Sequence, residues 1–376
     1  MPSKPTEQTR RRVALVIHAL SGGGAERIIS QLASRWAAAG HDVVLITLAA
    51  TSTDKYPLHS TVRRIGLDLL QASSNKLQAL GANYRRVRKL RAALYELAPD
   101  RIVSFCDRMN IVTLLASKRL NIPIWICERS DPSKQKLGWI WEWARRRSYP
   151  SCTGCVVQSE TVKRYLSAWV ADSKLRVIPN AVDVPINLTT NASVRLDTEH
   201  SNTKKVLSVG RLSAEKGFDT LLLAWSQVHT SIPEWKLVLA GDGAERHQLQ
   251  SLAQELKIAD SVQFLGWCDN PWPLYDQADM YVLPSRYEGF PVALLEAMSM
   301  GKPCIATRCS ETVELLSENG RAIECVEVGD SDSLARSIRT QAMSPETRLE
   351  LGQSAKRIAQ KFTWHSIGPM WDQILE

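Results

Sequence analysis

A chain of 376 residues is too long for one ordinary domain and suits two of roughly 150–200 residues, each able to bury its own core. With 44% hydrophobic and 23% charged residues the composition is that of a soluble globular protein, and no run approaches the roughly 18 apolar residues of a membrane span. The net charge of +8 conceals halves of opposite sign, since 29 Lys and Arg against 13 Asp and Glu in residues 1–180 give +16 and the remaining 18 against 26 give −8, so an anionic partner, membrane or nucleic acid, is expected for the first half only.

Arg10-Arg11-Arg12 followed by apolar Val13–Ile17 has the start of a secretory signal, but His18 and Gly22-Gly23-Gly24 interrupt it, so the protein is expected to stay in the cytosol, able to rest on a membrane. Val13–His18 reads as a buried strand, Ala25–Ala39 as a helix ending at Gly40, and His41–Leu48 as the next strand. Between them Gly22, Gly23 and Gly24 form either a tight turn or a loop that presents backbone amides and a helix N-terminus to a phosphate. The triplet is not the G-x-G-x-x-G dinucleotide fingerprint, and no acidic residue closes the second strand, which disfavours a nicotinamide-dependent enzyme.

Leu77, Leu80, Tyr84, Val87, Leu90 and Leu94 recur at three and four, predicting an amphipathic helix from Lys76 to Leu97. Its other face carries Arg85, Arg86, Arg88, Lys89 and Arg91, a solvated face or an anion-binding one. Arg101–Phe105 and Pro123–Cys127 are further strands in a doubly wound pattern, and the residues after them, Cys106-Asp107-Arg108 and Glu128-Arg129-Ser130, are placed to reach a ligand crevice. In Lys134–Arg147, Trp139, Trp141 and Trp143 precede Arg145, Arg146 and Arg147, a composition suited to a membrane interface. Tryptophans two apart cannot all line one helix face, so core packing by some of them is the competing reading. Thr153–Gln158 and Leu175–Ile178 complete the strands of the first half, and Val184–Thr203 reads as a linker. The eight cysteines show no metal or redox spacing and read as reduced, buried thiols.

The second half opens with strand Lys205–Val209, after which Arg211 and Lys216 form a cationic pair able to clamp a diphosphate. Strands Trp235–Ala240 and Val262–Leu265 end in glycine turns containing Gly241 and Trp267. Ala278–Pro284 is a strand, Pro291–Met300 a helix stopped by Gly301, and Pro303–Thr307 a second parallel strand. The turn between carries Glu288, and Glu296 falls inside the helix, where an unpartnered carboxylate would cost roughly several kcal/mol and so requires a ligand hydroxyl, an arginine or a backbone amide. Asp330-Ser331-Asp332 matches a metal-binding D-x-D, but directly precedes a helix and is better explained as its N-terminal cap.

The run Ser285-x-x-Glu288-Gly289-Phe290-Pro291-x-x-x-x-Glu296-Ala297-x-x-x-Gly301-x-Pro303, with Arg211 and Lys216 upstream, resembles the donor-binding signature of the retaining glycosyltransferases of family 4. The resemblance spans essentially the whole chain. It implies an α/β protein of the GT-B architecture, two Rossmann-like doubly wound domains facing a cleft: residues 1–183 for the acceptor, linker 184–203, residues 204–360 for the nucleotide sugar, and a terminal helix over 361–376 crossing back. It implies transfer of a sugar, with retention, from a nucleotide-diphosphate donor, UDP before GDP, to a lipid-diphosphate-linked glycan at the inner face of the plasma membrane. Neither a metal nor another cofactor is expected, and no nucleic acid. By the same resemblance Arg211 and Lys216 stabilise the departing diphosphate, Glu288 binds the donor sugar and Glu296 the ribose. Gly22, Gly23, Gly24, Gly241, Trp267, Gly289, Phe290 and Pro291 complete the donor site. The family pattern often has an acceptor-side histidine in the first domain, but after the strand ending at Phe105 Cys106 and Asp107 stand instead, so Asp107, Glu128 and Arg129 are the acceptor-side candidates. A nucleotide-sugar epimerase of the same fold and a non-catalytic nucleotide-sugar-binding subunit are the alternatives.

Overall fold

The computed structural model describes residues 10–70, 76–135, 137–185 and 203–376, with backbone only at 76, 77, 79 and 80. The side chains of Leu77 and Leu80 and most of the expected linker therefore lie outside the description. The chain divides into two compact units, Met1–Ile178 with Met370–Glu376, and Pro179–Pro369.

The first unit runs β1 (Arg12–Ile17), α1 (Gly24–Ala38), β2 (Asp42–Thr47), β3 (Arg63–Gly66), α2 (Lys76–Leu97), β4 (Arg101–Phe105), α3 (Asp107–Ala116), β5 (Ile124–Cys127), α4 (Trp139–Ser148), β6 (Gly154–Val157), α5 (Glu160–Leu166) and β7 (Leu175–Val177). Its parallel sheet has the order β3-β2-β1-β4-β5-β6-β7. Strands such as Val13–Ile17 and Val43–Ile46 are fully buried, which is why they read as continuous apolar runs with no alternation. Trp371, near the C-terminus, stacks on Phe105 with ring centroids 5.7 Å apart, and Asp372 accepts hydrogen bonds from Arg35 at 2.6 Å and from the Trp36 indole at 3.0 Å.

The second unit runs β8 (Lys204–Val209), α6 (Phe218–Val228), β9 (Trp235–Ala240), α7 (Arg246–Glu255), β10 (Val262–Gly266), α8 (Trp272–Gln277), β11 (Met280–Leu283), α9 (Val292–Ser299), β12 (Cys304–Thr307), α10 (Glu311–Ser317), β13 (Glu324–Val326), α11 (Ser331–Met343) and α12 (Pro345–Ala359). The last helix, α13 (Trp364–Asp372), begins here and ends in the first unit. The parallel sheet has the order β10-β9-β8-β11-β12-β13. In both sheets the strand order reverses once, between β1 and β4 and between β8 and β11, and it is outside the carboxyl ends of such strands that open α/β sheets bind ligands.

Several sequence expectations need correction. Tyr84 is 68% exposed, so the buried stripe of α2 is carried by Leu90, Leu94 and Leu97. All eight cysteines are free thiols, but Cys106, Cys268 and Cys325 are only half-buried. Arg145, grouped with Arg146 and Arg147 as a membrane contact, is completely buried.

Candidate functional site

The ends of β8 and β11 are laced together by the loops that follow them. Gly217 adopts φ +65°, and a Cβ there would lie 2.1 Å from the Pro284 carbonyl oxygen, so only glycine lets the β8 loop press onto the end of β11. Arg286 fixes the other side, its guanidinium forming a fork on Asp219 at 2.9 and 2.6 Å while its amide donates to the Glu215 carbonyl at 2.8 Å. This approach brings Lys216 Nζ within 2.7 Å of Glu288 Oε1, which also accepts from the Ser285 hydroxyl at 2.7 Å. Burial pulls the Lys216 ammonium down, and the Glu288 carboxylate more than offsets it, leaving the lysine more basic than usual. Arg211 is exposed on the same loop.

Glu296 lies in α9 and is 2% exposed; its Oε2 accepts a 2.8 Å hydrogen bond from the Tyr275 hydroxyl. The partner expected for it was a ligand, an arginine or an amide. A tyrosine on the preceding helix supplies one, and no spacing rule in the sequence ties the two positions. The other expected donor residues also make contacts that hold these loops in place. Gly241 takes φ +146°, lies against the Gly210 carbonyl, and donates to Gly266 O at 2.8 Å, stitching the loops after β8, β9 and β10 together. Gly289 O accepts from Thr312 at 2.9 Å, Phe290 is buried against Phe362 with its carbonyl held by Asn180, and Pro291 caps α9. Trp267 remains 38% exposed, its indole donating to Asp269 at 2.6 Å. Asp330 Oδ1 accepts the Ser333 amide at 2.9 Å at the start of α11, as expected of a cap.

In the first unit, Asp107 and Glu128 converge on Arg145. The guanidinium lies 3.8 Å from Asp107, 4.0 Å from Glu128 and 3.6 Å from Glu142. Glu128 has no exposed surface and accepts from Tyr149 at 2.8 Å and Ser130 at 3.1 Å, so it is the anchor of a buried network and presents nothing to an acceptor. Burial first, then the Asp107 charge, push its carboxyl up to about 7 against the pull of Arg145 and the two hydrogen bonds. Asp107, 16% exposed at the start of α3, is the reachable member. Arg129 is half-buried with its guanidinium 5.0 Å from the centre of the Phe105 ring. In the glycine loop the Gly22 amide donates to Glu26 at 2.6 Å and the Gly23 amide to Tyr56 at 3.0 Å, so both are already engaged.

Residues 195–358 match the family described as Glycosyl transferases group 1, and residues 23–181 match the Glycosyl transferase 4-like domain. The chain belongs to the group 1 glycosyltransferases. An N-acetyl-D-galactosaminyltransferase of Campylobacter jejuni, named for a diNAcBac-PP-undecaprenol-linked acceptor, is 28% identical over 368 residues, covering 97% of this chain and 98% of its own. The sucrose-phosphate synthase of Thermosynechococcus elongatus has TM-score 0.81 at 22% identity over 97% of this chain and 98% of that one. Anabaena HepE in complex with UDP-glucose has TM-score 0.81 at 21% identity over 97% and 99%. These place the glycosyltransferase in the GT-B fold. Membership of the family favours sugar transfer over the epimerase and non-catalytic readings.

Proposed function

We propose that this glycosyltransferase moves a sugar from a UDP-sugar, with retention of anomeric configuration and without a metal ion, to a glycan carried on a lipid diphosphate in cell-surface polysaccharide assembly. The observation that carries this reading is the pairing of Lys216 with Glu288 where the strand order of the second sheet reverses. Negative charge grows on the diphosphate as its bond to the anomeric carbon breaks, and preorganised cations stabilise that charge best. Lys216 and Arg211, both on the loop after β8, are the cations assigned to that charge. Glu288 uses Oε1 for Lys216 and Ser285, which leaves Oε2 to accept from a hydroxyl of the donor sugar. Glu296, whose Oε2 is held by Tyr275, takes the role of ribose acceptor in this reading. UDP is supported by the UDP-glucose complex of HepE, and a lipid-diphosphate acceptor by the name of the Campylobacter relative.

The test is a melting screen against UDP- and GDP-sugars followed by NMR of the product. A bound donor at about 100 times its Kd should add roughly 2.7 kcal/mol of stability. The new linkage should keep the donor's anomeric configuration, and EDTA should leave turnover intact. Inversion at the anomeric carbon, or activity lost in EDTA and restored by manganese, would overturn the mechanism.

A further inference from the structure

The loop that carries Arg211 and Lys216 is held in different ways at its two ends. Beside Arg211 the bonds are main-chain ones: the Gly210 amide donates to Ala240 O at 3.0 Å, the Leu212 amide to Asp242 O at 3.0 Å, and Leu212 O accepts the Glu245 amide at 3.0 Å. Leu212 between them is completely buried. Around Lys216 the holding bonds come from a single residue of the facing loop. Arg286 places Nη1 and Nη2 on the two Asp219 carboxylate oxygens at 2.9 and 2.6 Å, and Nη1 also donates to the Ala214 carbonyl. Its amide donates to Glu215 O at 2.8 Å. Arg286 therefore grips the chain just before Lys216 and just after it.

Stability does not explain this arrangement. The Arg286 and Asp219 side chains are 38% and 41% exposed, and ion pairs in contact with water add little to stability. Position explains it better, because Arg286 stands two residues before Glu288 on a segment that is itself fixed to the sheet. The Thr307 hydroxyl donates to Ser285 O, and the Ser285 hydroxyl donates to Glu288 Oε1 at 2.7 Å. One short segment thus carries both the carboxylate that meets Lys216 Nζ at 2.7 Å and the guanidinium that holds the Lys216 backbone in place. Both Nη atoms of Arg286 are committed to these contacts, so it holds the loop and does not itself meet a diphosphate. All of these residues belong to the second unit.

We propose that Arg286, together with Asp219, is the positioning residue of Lys216. It sets where the ammonium stands relative to Glu288, and so its alignment with the departing diphosphate, while Arg211 keeps its place through the main chain. This inference rests on the donor reading above, in which Lys216 stabilises the leaving group. A cation helps most where the charge develops, and a misplacement of about 1 Å costs on the order of 10²-fold in rate.

Transfer from UDP-N-acetylgalactosamine, UDP-galactose and UDP-glucose to a farnesyl-diphosphate-linked N-acetylhexosamine, measured with Arg286→Ala, Lys216→Ala and Arg211→Ala singly and in pairs, tests it. Arg286→Ala should lower kcat by about 10- to 100-fold while the donor KM and the melting temperature change little. Lys216→Ala should lower kcat by about 10²- to 10³-fold. In the Lys216→Ala background Arg286→Ala should cost almost nothing further, whereas in the Arg211→Ala background it should cost its full factor, since residues that act as a unit are not additive. Arg286→Lys keeps the charge without the fork and should recover only part of the rate. Asp219→Asn should show a smaller loss with the same dependence on Lys216, and it carries the same cycle if Arg286→Ala does not fold. Wild-type kcat in Arg286→Ala would overturn the assignment, as would a loss that persists undiminished without Lys216, the mark of a general structural role. A Lys216→Ala protein as fast as wild type would instead refute the donor reading and this inference with it, a distinguishable result.

Discussion

Glu288 and Glu296 stand eight positions apart and answer to different neighbours, so their substitutions should separate kinetically. A ribose contact acts in ground and transition states alike, and Glu296→Ala should mainly raise the donor KM. Tyr275→Phe removes one neutral hydrogen bond to Glu296 and should raise the same KM by about 1 kcal/mol, roughly fivefold. Glu288→Ala should mainly lower kcat, since it strips both the proposed sugar contact and the partner of Lys216. Arg211→Ala should cost about 3 kcal/mol of barrier. Steady-state kinetics with Glu288→Ala and Glu296→Ala both within twofold of wild type would remove the pair from the site. Glu128 makes a prediction about stability. Its carboxyl titrates near 7 in the folded protein against an ordinary value of 4.5, so between these values the native state holds a proton that the unfolded chain releases. Stability from this group is therefore fully present below about pH 4.5 and declines as pH rises through 7, by on the order of 3 kcal/mol. Urea unfolding of wild type minus Glu128→Gln across pH 4.5–7.5 should show that decline, and a difference independent of pH would refute it.

At the scale of elements, the strands were legible because parallel strands buried on both faces are continuous apolar runs, as in Val13–Ile17 and in Leu237–Ala240, the latter closed by Gly241. What was not legible is the phase of α4. The run Trp139 to Arg147 shows which residues are present, but only packing decides which turn inward. Trp141 goes to the core side beneath Arg108 and Arg145 goes wholly inside, leaving Trp139 and Trp143 outside one turn apart. Arg145 is buried because Asp107 from α3 and Glu128 after β5 meet it beside Glu142 of its own helix, and the two contacts across the fold leave no local spacing to read. Arg145→Met should lower stability by about 3–5 kcal/mol, because it leaves Glu128 buried beside Asp107 without a cation. Gly217→Ala should act on function as well as stability, since the added methyl separates the loops that bring Lys216 to Glu288. A Gly217→Ala protein with wild-type kcat would mean that this close approach is not needed for turnover.

Across the whole molecule the charge is divided, +16 in residues 1–180 against −8 in the remainder, and the structure sorts the basic residues of the first unit into pinned and presented. Arg86 and Arg91 are tied to backbone carbonyls of Leu69, Ala116 and Lys118, whereas Arg85, Arg88, Lys89, Arg146 and Arg147 are exposed. On α4 the exposed arginines accompany Trp139 at 81%, Ile140 at 56% and Trp143 at 67% exposure, an apolar patch with a basic border. No helix among the described residues is long and apolar enough to cross a membrane, so any attachment through them would be interfacial. A lipid-diphosphate acceptor requires such an attachment, and tryptophan with arginine is the composition that lies at the headgroup level of an anionic leaflet. Each basic residue near that surface contributes about 1 kcal/mol within a Debye length, so binding should weaken with salt. Vesicles containing anionic lipid should sediment the protein and neutral ones should do so far less. Arg146→Glu with Arg147→Glu should reduce binding at low salt, and Trp139→Ala with Trp143→Ala should reduce the part that survives 0.5 M salt. Because Arg145 is sealed inside, Arg145→Glu should act through unfolding, visible as a lowered melting temperature before any change in vesicle affinity. Equal, weak sedimentation with anionic and neutral vesicles would turn the reading towards a soluble acceptor.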